Sequence, residues 1–149
     1  MQLTGATAGP DIIADRFPAH PPVPDDRHIL SDGVDRYVGN HLLIDLSGAQ
    51  RTDDLRHVED ALRRCVAAAS ATLLNIYLHH FTPNGGISGV VVLAESHISI
   101  HSWPEREFAA IDMFMCGAAE PRNAIPVLQE AFAPSGIAVH EYRRGLGWV

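Results

Sequence analysis

The run HISIHSW, residues 97–103, alternates polar and apolar side chains. Successive side chains of an extended strand point to opposite faces, so His97, Ser99, His101 and Trp103 share one side and Ile98 and Ile100 the other. That period predicts a strand with one buried face. ISGVVVLA (87–94) before it and FAAIDMFMC (108–116) after it predict two more strands. Upstream, HLLIDL (41–46) predicts a short apolar strand ended by Ser47-Gly48. Thr52 offers an N-cap, with Asp53 and Asp54 well placed for the helix dipole. Leu55, Val58, Leu62, Cys65, Val66 and Ala69 then follow at helical spacing and predict a helix with one apolar face. ATLLNIYLHHF (71–81) predicts a strand and PNGG (83–86) a turn. NAIPVLQEAF (123–132) predicts a second helix with Asn123 as N-cap, because Pro126 is tolerated only in a first turn. Pro134-Ser135-Gly136 stops it, and IAVHEY (137–142) predicts a closing strand.

The order β-α-β-β-β-β-α-β predicts an α+β fold, a two-layer sandwich of a mainly antiparallel sheet with helices on one face. A single helical layer leaves the other sheet face for something else to bury, and dimerisation through that side is the natural solution. Pro10, Pro18, Pro21, Pro22 and Pro24, half of the ten prolines, fall in residues 1–36. That stretch reads as a loose arm, and residues 37–149 as one domain. A length of 149 residues suits a single core, and 46% hydrophobic with 19% charged residues describes a folded chain. No apolar run approaches the roughly 20 residues of a membrane helix, and the N-terminus has no basic-then-apolar leader. Two cysteines fit a reducing cytoplasm. A net charge of -7 disfavours nucleic acid and anionic membranes as partners and is compatible with a cationic small molecule.

Glu95-Ser96-His97 interrupts the apolar pattern with three polar residues, which a buried strand tolerates only if they find partners. Singly, each has an ordinary explanation as a sheet residue. Together, Ser88, Glu95, Ser96, His101, Glu105 and Cys116 gather among strands that should be neighbours. The Glu95–Ser96 bond reads as one that is meant to break.

GISGVVVLAESHISIHSWPE followed by IDMFMCG resembles the bacterial and archaeal S-adenosylmethionine decarboxylases, small self-processing pyruvoyl enzymes of polyamine (spermidine) synthesis. The resemblance runs from about Gly48 to Gly117 and leaves the proline-rich arm outside. It implies that Ser96 attacks the Glu95 carbonyl, that the resulting ester is eliminated, and that the chain becomes two, cut between 95 and 96. It implies a pyruvoyl cofactor derived from Ser96, which takes the substrate amine as a Schiff base and supplies an electron sink as pyridoxal phosphate does elsewhere. His101 becomes the base for elimination and Ser88 its helper in processing. Cys116 becomes the acid that protonates the substrate carbon, a role suited to a thiol with an ordinary pKa of about 8.5. Glu105 would accept hydrogen bonds from ribose hydroxyls, Phe81 would stack on adenine, and Trp103 would form a wall. No metal is implied.

A regular strand sets a difficulty. Ser96 and His101 should point to opposite faces about 17 Å apart, and Ser88 should lie about 26 Å from Ser96 along the chain. A bend at the cleavage point is one solution. The simpler one is a homodimer in which Ser96 and Cys116 of one subunit meet Ser88, His101 and Glu105 of the other.

Three rival functions are weighed on the same residues. A pyruvoyl decarboxylase of arginine or ornithine would keep Ser96, His101 and Cys116. A metal-binding module could draw on His79, His80, His97 and His101, but adjacent His79 and His80 point to opposite faces and no cysteine pair has zinc spacing. A non-cleaving regulatory partner would have no use for Ser96, His101 and Cys116 together. Cys65 reads as packing, and His57, Arg63 and Arg64 as solvated helix residues.

Overall fold

The computed structural model describes residues 26–149. The proline positions of the expected arm lie outside the described residues. Residues 26–36 form a 3-10 turn, Asp26–His28, and most of a small antiparallel hairpin of β1 (Leu30–Ser31) and β2 (Arg36–Tyr37). Its turn is held by Asp32, whose Oδ1 accepts from the Val34 and Asp35 N–H groups at 2.9 and 2.8 Å.

The main sheet contains β3 (Gly39–Ser47), β4 (Leu73–His80), β5 (Ile87–Leu93), β6 (Ser96–Trp103), β7 (Phe108–Met115) and β8 (Gly136–Arg144). Its order is β4-β5-β6-β7-β3-β8, with every neighbouring pair antiparallel. The turns joining β4 to β7 are short, so those strands form a meander. β3 pairs between β7 and β8. Gly89 lets β4 and β5 approach, since a Cβ there would collide with the Tyr77 carbonyl and the Leu78 side chain.

Two helices follow the expected spacings. α1 (Leu55–Ala68) buries Val58, Ala61, Leu62, Cys65 and Val66, and α2 (Ile125–Phe132) buries Leu128 and Phe132. These pack with Leu42, Ile44, Leu46, Ile98, Ile100, Ile111 and Met113 in one apolar core. The thiol of Cys65 sits in that layer, and burial pushes it up to about 12. The fold is thus α+β, a six-stranded antiparallel sheet with two helices packed on one face. The other face carries His41, Leu43, Asp45, Ser88, Val92, His97, Ser99, His101, Trp103, Asp112, Phe114 and Tyr142, all part or fully exposed. The alternation in 97–103 is therefore real: Ile98 and Ile100 are buried, and His101 and Trp103 are not.

Three local expectations are corrected. The α1 cap is Asp54, not Thr52: its Oδ1 accepts from the His57 N–H at 3.0 Å. Thr52 is instead buried, its carbonyl accepting from the Ser102 hydroxyl at 2.8 Å. Asn123 caps nothing, because Pro121 opens a 3-10 turn, Pro121–Ala124, that runs into α2 with Pro126 in its first turn. His57 is not a solvated residue. Its Nε2 lies 2.7 Å from the Ala131 carbonyl and joins the two helices.

Candidate active site

Glu95 lies in the two-residue turn between β5 and β6, and Ser96 opens β6. The Leu93↔Ser96 and Ser96↔Met115 pairs set Ser96 at one end of three strands. Cys116, the residue after β7, is brought against that end: its backbone N–H donates to the Glu95 carbonyl at 3.0 Å. The Glu95 carboxylate is held by Thr72, whose N–H and hydroxyl donate to Oε2 and Oε1 at 2.8 and 3.0 Å. Ser96 itself has φ +141°, a region that residues with a Cβ rarely enter and that costs of order 1–3 kcal/mol. A strained serine behind a carbonyl already bonded to an N–H is a starting geometry for attack on that carbonyl.

A second group forms at the opposite end of the same hairpin. Ser88 and His101 are cross-strand partners of β5 and β6, with Ser88 Oγ 3.0 Å from His101 Nδ1. His101 and Trp103 rings are 6.3 Å apart, and Trp103 continues to Phe108 at 5.6 Å. The 81–86 turn closes on the Phe81 N–H to Gly86 carbonyl bond at 2.7 Å, which aims Phe81 toward His79, ring to ring at 4.5 Å. Phe81, Asn84, Ser88, His101 and Trp103 line an open cavity of about 300 Å³. Its floor is fixed by buried Ser102, whose Oγ accepts from the Ile87 N–H at 2.8 Å. Glu105 sits exposed in the 3-10 turn Pro104–Arg106 and does not line this cavity.

One protomer therefore has its candidate residues in two groups. Glu95, Ser96 and Cys116 are together at one end of β6; Ser88, His101, Phe81 and Trp103 are together at the other. Ser96 and His101 are five positions apart, which spans about 17 Å of strand. The hairpin does bend the chain at the cleavage point, but it carries Ser88 to His101 and not to Ser96. The 26 Å expected for Ser88 is corrected accordingly, since the paired strands put Ser88 as far from Ser96 as His101 is.

Three residues at these ends escape sequence reading. Thr72 looks like any strand-start threonine, Asn84 like a turn residue, and His79 like half of a histidine pair. Only the β4–β5 register, which sets His79 opposite Ser88, brings the last beside Ser88 and Phe81 at the cavity's edge without lining it. Among the described residues, no three His, Cys, Asp or Glu side chains come together as metal ligands would. His79 and His80 diverge as expected, and His97 stacks near His41 and Phe114 instead.

The fold is that of a decarboxylase. The structure superposes on the adenosylmethionine decarboxylase of Aquifex aeolicus VF5 with a TM-score of 0.63 at 32% identity, over 72% of this chain and 91% of that one. A family model described as S-adenosylmethionine decarboxylase matches residues 40–145. The S-adenosylmethionine decarboxylase proenzyme of Thermomicrobium roseum is 44% identical over 73% of this chain and 95% of its own length. That of Methanococcus maripaludis strain C5 is 41% identical over 74% and 93%. The chain belongs to the S-adenosylmethionine decarboxylase family.

Proposed function

We propose that this chain cuts itself between Glu95 and Ser96 and then, with the pyruvoyl group made from Ser96, decarboxylates S-adenosylmethionine at a site shared by two copies. The product would be the aminopropyl donor of polyamine synthesis. The observation that carries the reading is Ser96 at φ +141° behind a carbonyl that accepts from the Cys116 N–H. The residues present suit formation of the group.

The chemistry follows from those atoms. Ser96 Oγ adds to the Glu95 carbonyl carbon, and charge develops on the oxygen that the Cys116 N–H faces. The C–N bond breaks, its nitrogen takes a proton, and an ester remains. A base removes the Ser96 Cα proton, the Cβ–Oγ bond breaks, and Glu95 departs as a carboxylate. Water then replaces the nitrogen, which leaves as ammonia. His101 is the base in this reading, with Ser88 fixing its ring. Once formed, the ketone supplies the electron sink for loss of carbon dioxide. Cys116 returns a proton to the substrate carbon, Phe81 and Trp103 flank the adenine, and Glu105 binds the ribose.

A base about 17 Å along the strand cannot reach Ser96 within one protomer. A two-fold dimer through the exposed sheet face brings the far end of one hairpin to the near end of the other, twice. We take residues 37–149 as the decarboxylase domain; of the arm 1–36, the described part, 26–36, joins it through the β1–β2 hairpin and the Arg143–Asp32 ion pair. Among the described residues no helix is long and apolar enough to cross a membrane. The two free cysteines support a cytoplasmic location. The relatives are S-adenosylmethionine decarboxylases, which favours an adenosyl substrate over arginine or ornithine.

The test mixes two inactive variants. Ser96→Ala alone should stay one band on a denaturing gel. Refolded with His101→Ala, it should regain one working site per heterodimer, read as carbon dioxide release. Well-formed heterodimers without recovery would overturn the shared site, and uncut wild-type chain would overturn the whole reading.

A further inference from the structure

Thr72 holds the residues just before the scissile bond at three points. Its N–H and hydroxyl take the two oxygens of the Glu95 carboxylate, and its carbonyl accepts from the Ala94 N–H at 3.0 Å. A fourth bond, from the Cys116 N–H, fixes the Glu95 carbonyl. On the far side, Ser96 is fixed by its pairing with Met115. The torsion between these two anchored parts is the φ of Ser96, which stands at +141°.

That torsion sets where Oγ can lie relative to the Glu95 carbonyl carbon. A residue with a Cβ stays in such a region only when its surroundings over-determine it. The downstream anchor is ordinary ladder. The upstream anchor is not, because a two-residue turn offers Ala94 and Glu95 few ladder bonds of their own. Both Glu95 carboxylate oxygens are occupied by donors from one residue, which also receives the neighbouring N–H. A glutamate side chain tied in this way cannot swing, so its backbone cannot relax toward negative φ at Ser96.

We infer that Thr72 is a positioning residue for self-cleavage: by clamping the Glu95 side chain it holds the Glu95–Ser96 bond in the conformation from which Ser96 attacks. The inference rests on the self-processing reading above. Thr72 touches no reacting atom, and it acts through Glu95. The attack itself is the one already balanced, Oγ–C bond formation with loss of the C–N bond.

The experiment follows cutting of full-length chain over time on a denaturing gel. Thr72→Val keeps the shape and removes the hydroxyl. A hydrogen bond to a charged group is worth enough that cutting should slow about tenfold to a hundredfold. Thr72→Ser should restore the rate. Glu95→Gln should slow cutting too, and the double variant Thr72→Val with Glu95→Gln should be no slower than the slower single one. The same substitution placed in a Ser96→Ala chain should leave the thermal midpoint within a few degrees, which separates positioning from a general loss of fold. Thr72→Val cutting at the wild-type rate overturns the inference alone. A rate that falls only in step with the midpoint, without rescue by Thr72→Ser, overturns it as well. Wild-type chain that stays uncut removes the reading on which it rests.

Discussion

Neighbouring residues of β6 belong to different environments. Ile98, Ile100 and Ser102 enter the layer beneath α1 and α2, and all three are buried. Ser99, His101 and Trp103 stand on the opposite face, where Ser99 donates to Asp112 at 2.8 Å and His101 meets Ser88. The covered face is apolar and saturated, apart from Ser102, whose hydroxyl both donates and accepts. The exposed face is polar and aromatic, and its side chains hydrogen-bond in cross-strand pairs. The difference teaches that one strand can be divided lengthwise between stability and chemistry, with the boundary passing between each residue and the next.

Adjacent substitutions can break that division. His101→Ala should have the largest effect, lowering cutting and decarboxylation by about 10²–10⁴-fold as expected for loss of a positioned acid–base group. Its thermal midpoint should barely move, since the side chain is exposed. A collapse of stability in that variant would place His101 with the core. One residue on, Ser102→Ala should do the reverse. It leaves the Ile87 N–H and the Thr52 carbonyl without their partner, at a cost of about 1–3 kcal/mol in denaturant unfolding. Unchanged stability would show that water enters the layer. The smallest effect is expected at the β1–β2 hairpin, outside both faces. Backbone hydrogen bonds from Asp35 and Val34, with Arg143 adding to them, hold the Asp32 carboxyl down at about 2. A depressed carboxyl stabilises above its unfolded value near 3.8 and loses that contribution as pH falls toward 2. Asp32→Asn should flatten the acid limb of the unfolding curve between those values, and an unaltered limb would mean the hairpin contributes nothing.

Much of this was legible before any coordinates. Periodicity alone divides Ile98 and Ile100 from His101 and Trp103, and the buried face of α1 follows from Leu55 to Ala69 in steps of three and four. The resemblance carried by Glu95 to Glu105 and by Cys116 leads to the family. What stayed hidden depends on register and on single side-chain torsions. Thr52, Asp53 and Asp54 are all competent caps, and only the position of the first turn selects Asp54. The Ser88–His101 pair exists because Leu93 faces Ser96, a register that the sequence of β5 does not specify. Thr72 reaches Glu95 through the neighbouring β4–β5 register, which sets Leu73 opposite Leu93 across residues distant in the chain.

The strand order has a consequence for what a cut between 95 and 96 leaves behind. The first piece supplies β3, β4 and β5, and the second supplies β6, β7 and β8. Because β3 is flanked by β7 and β8 while β5 borders β6, the halves are interlaced along three seams. Neither can depart without unzipping the other, so the severed molecule should migrate as one particle until it is denatured.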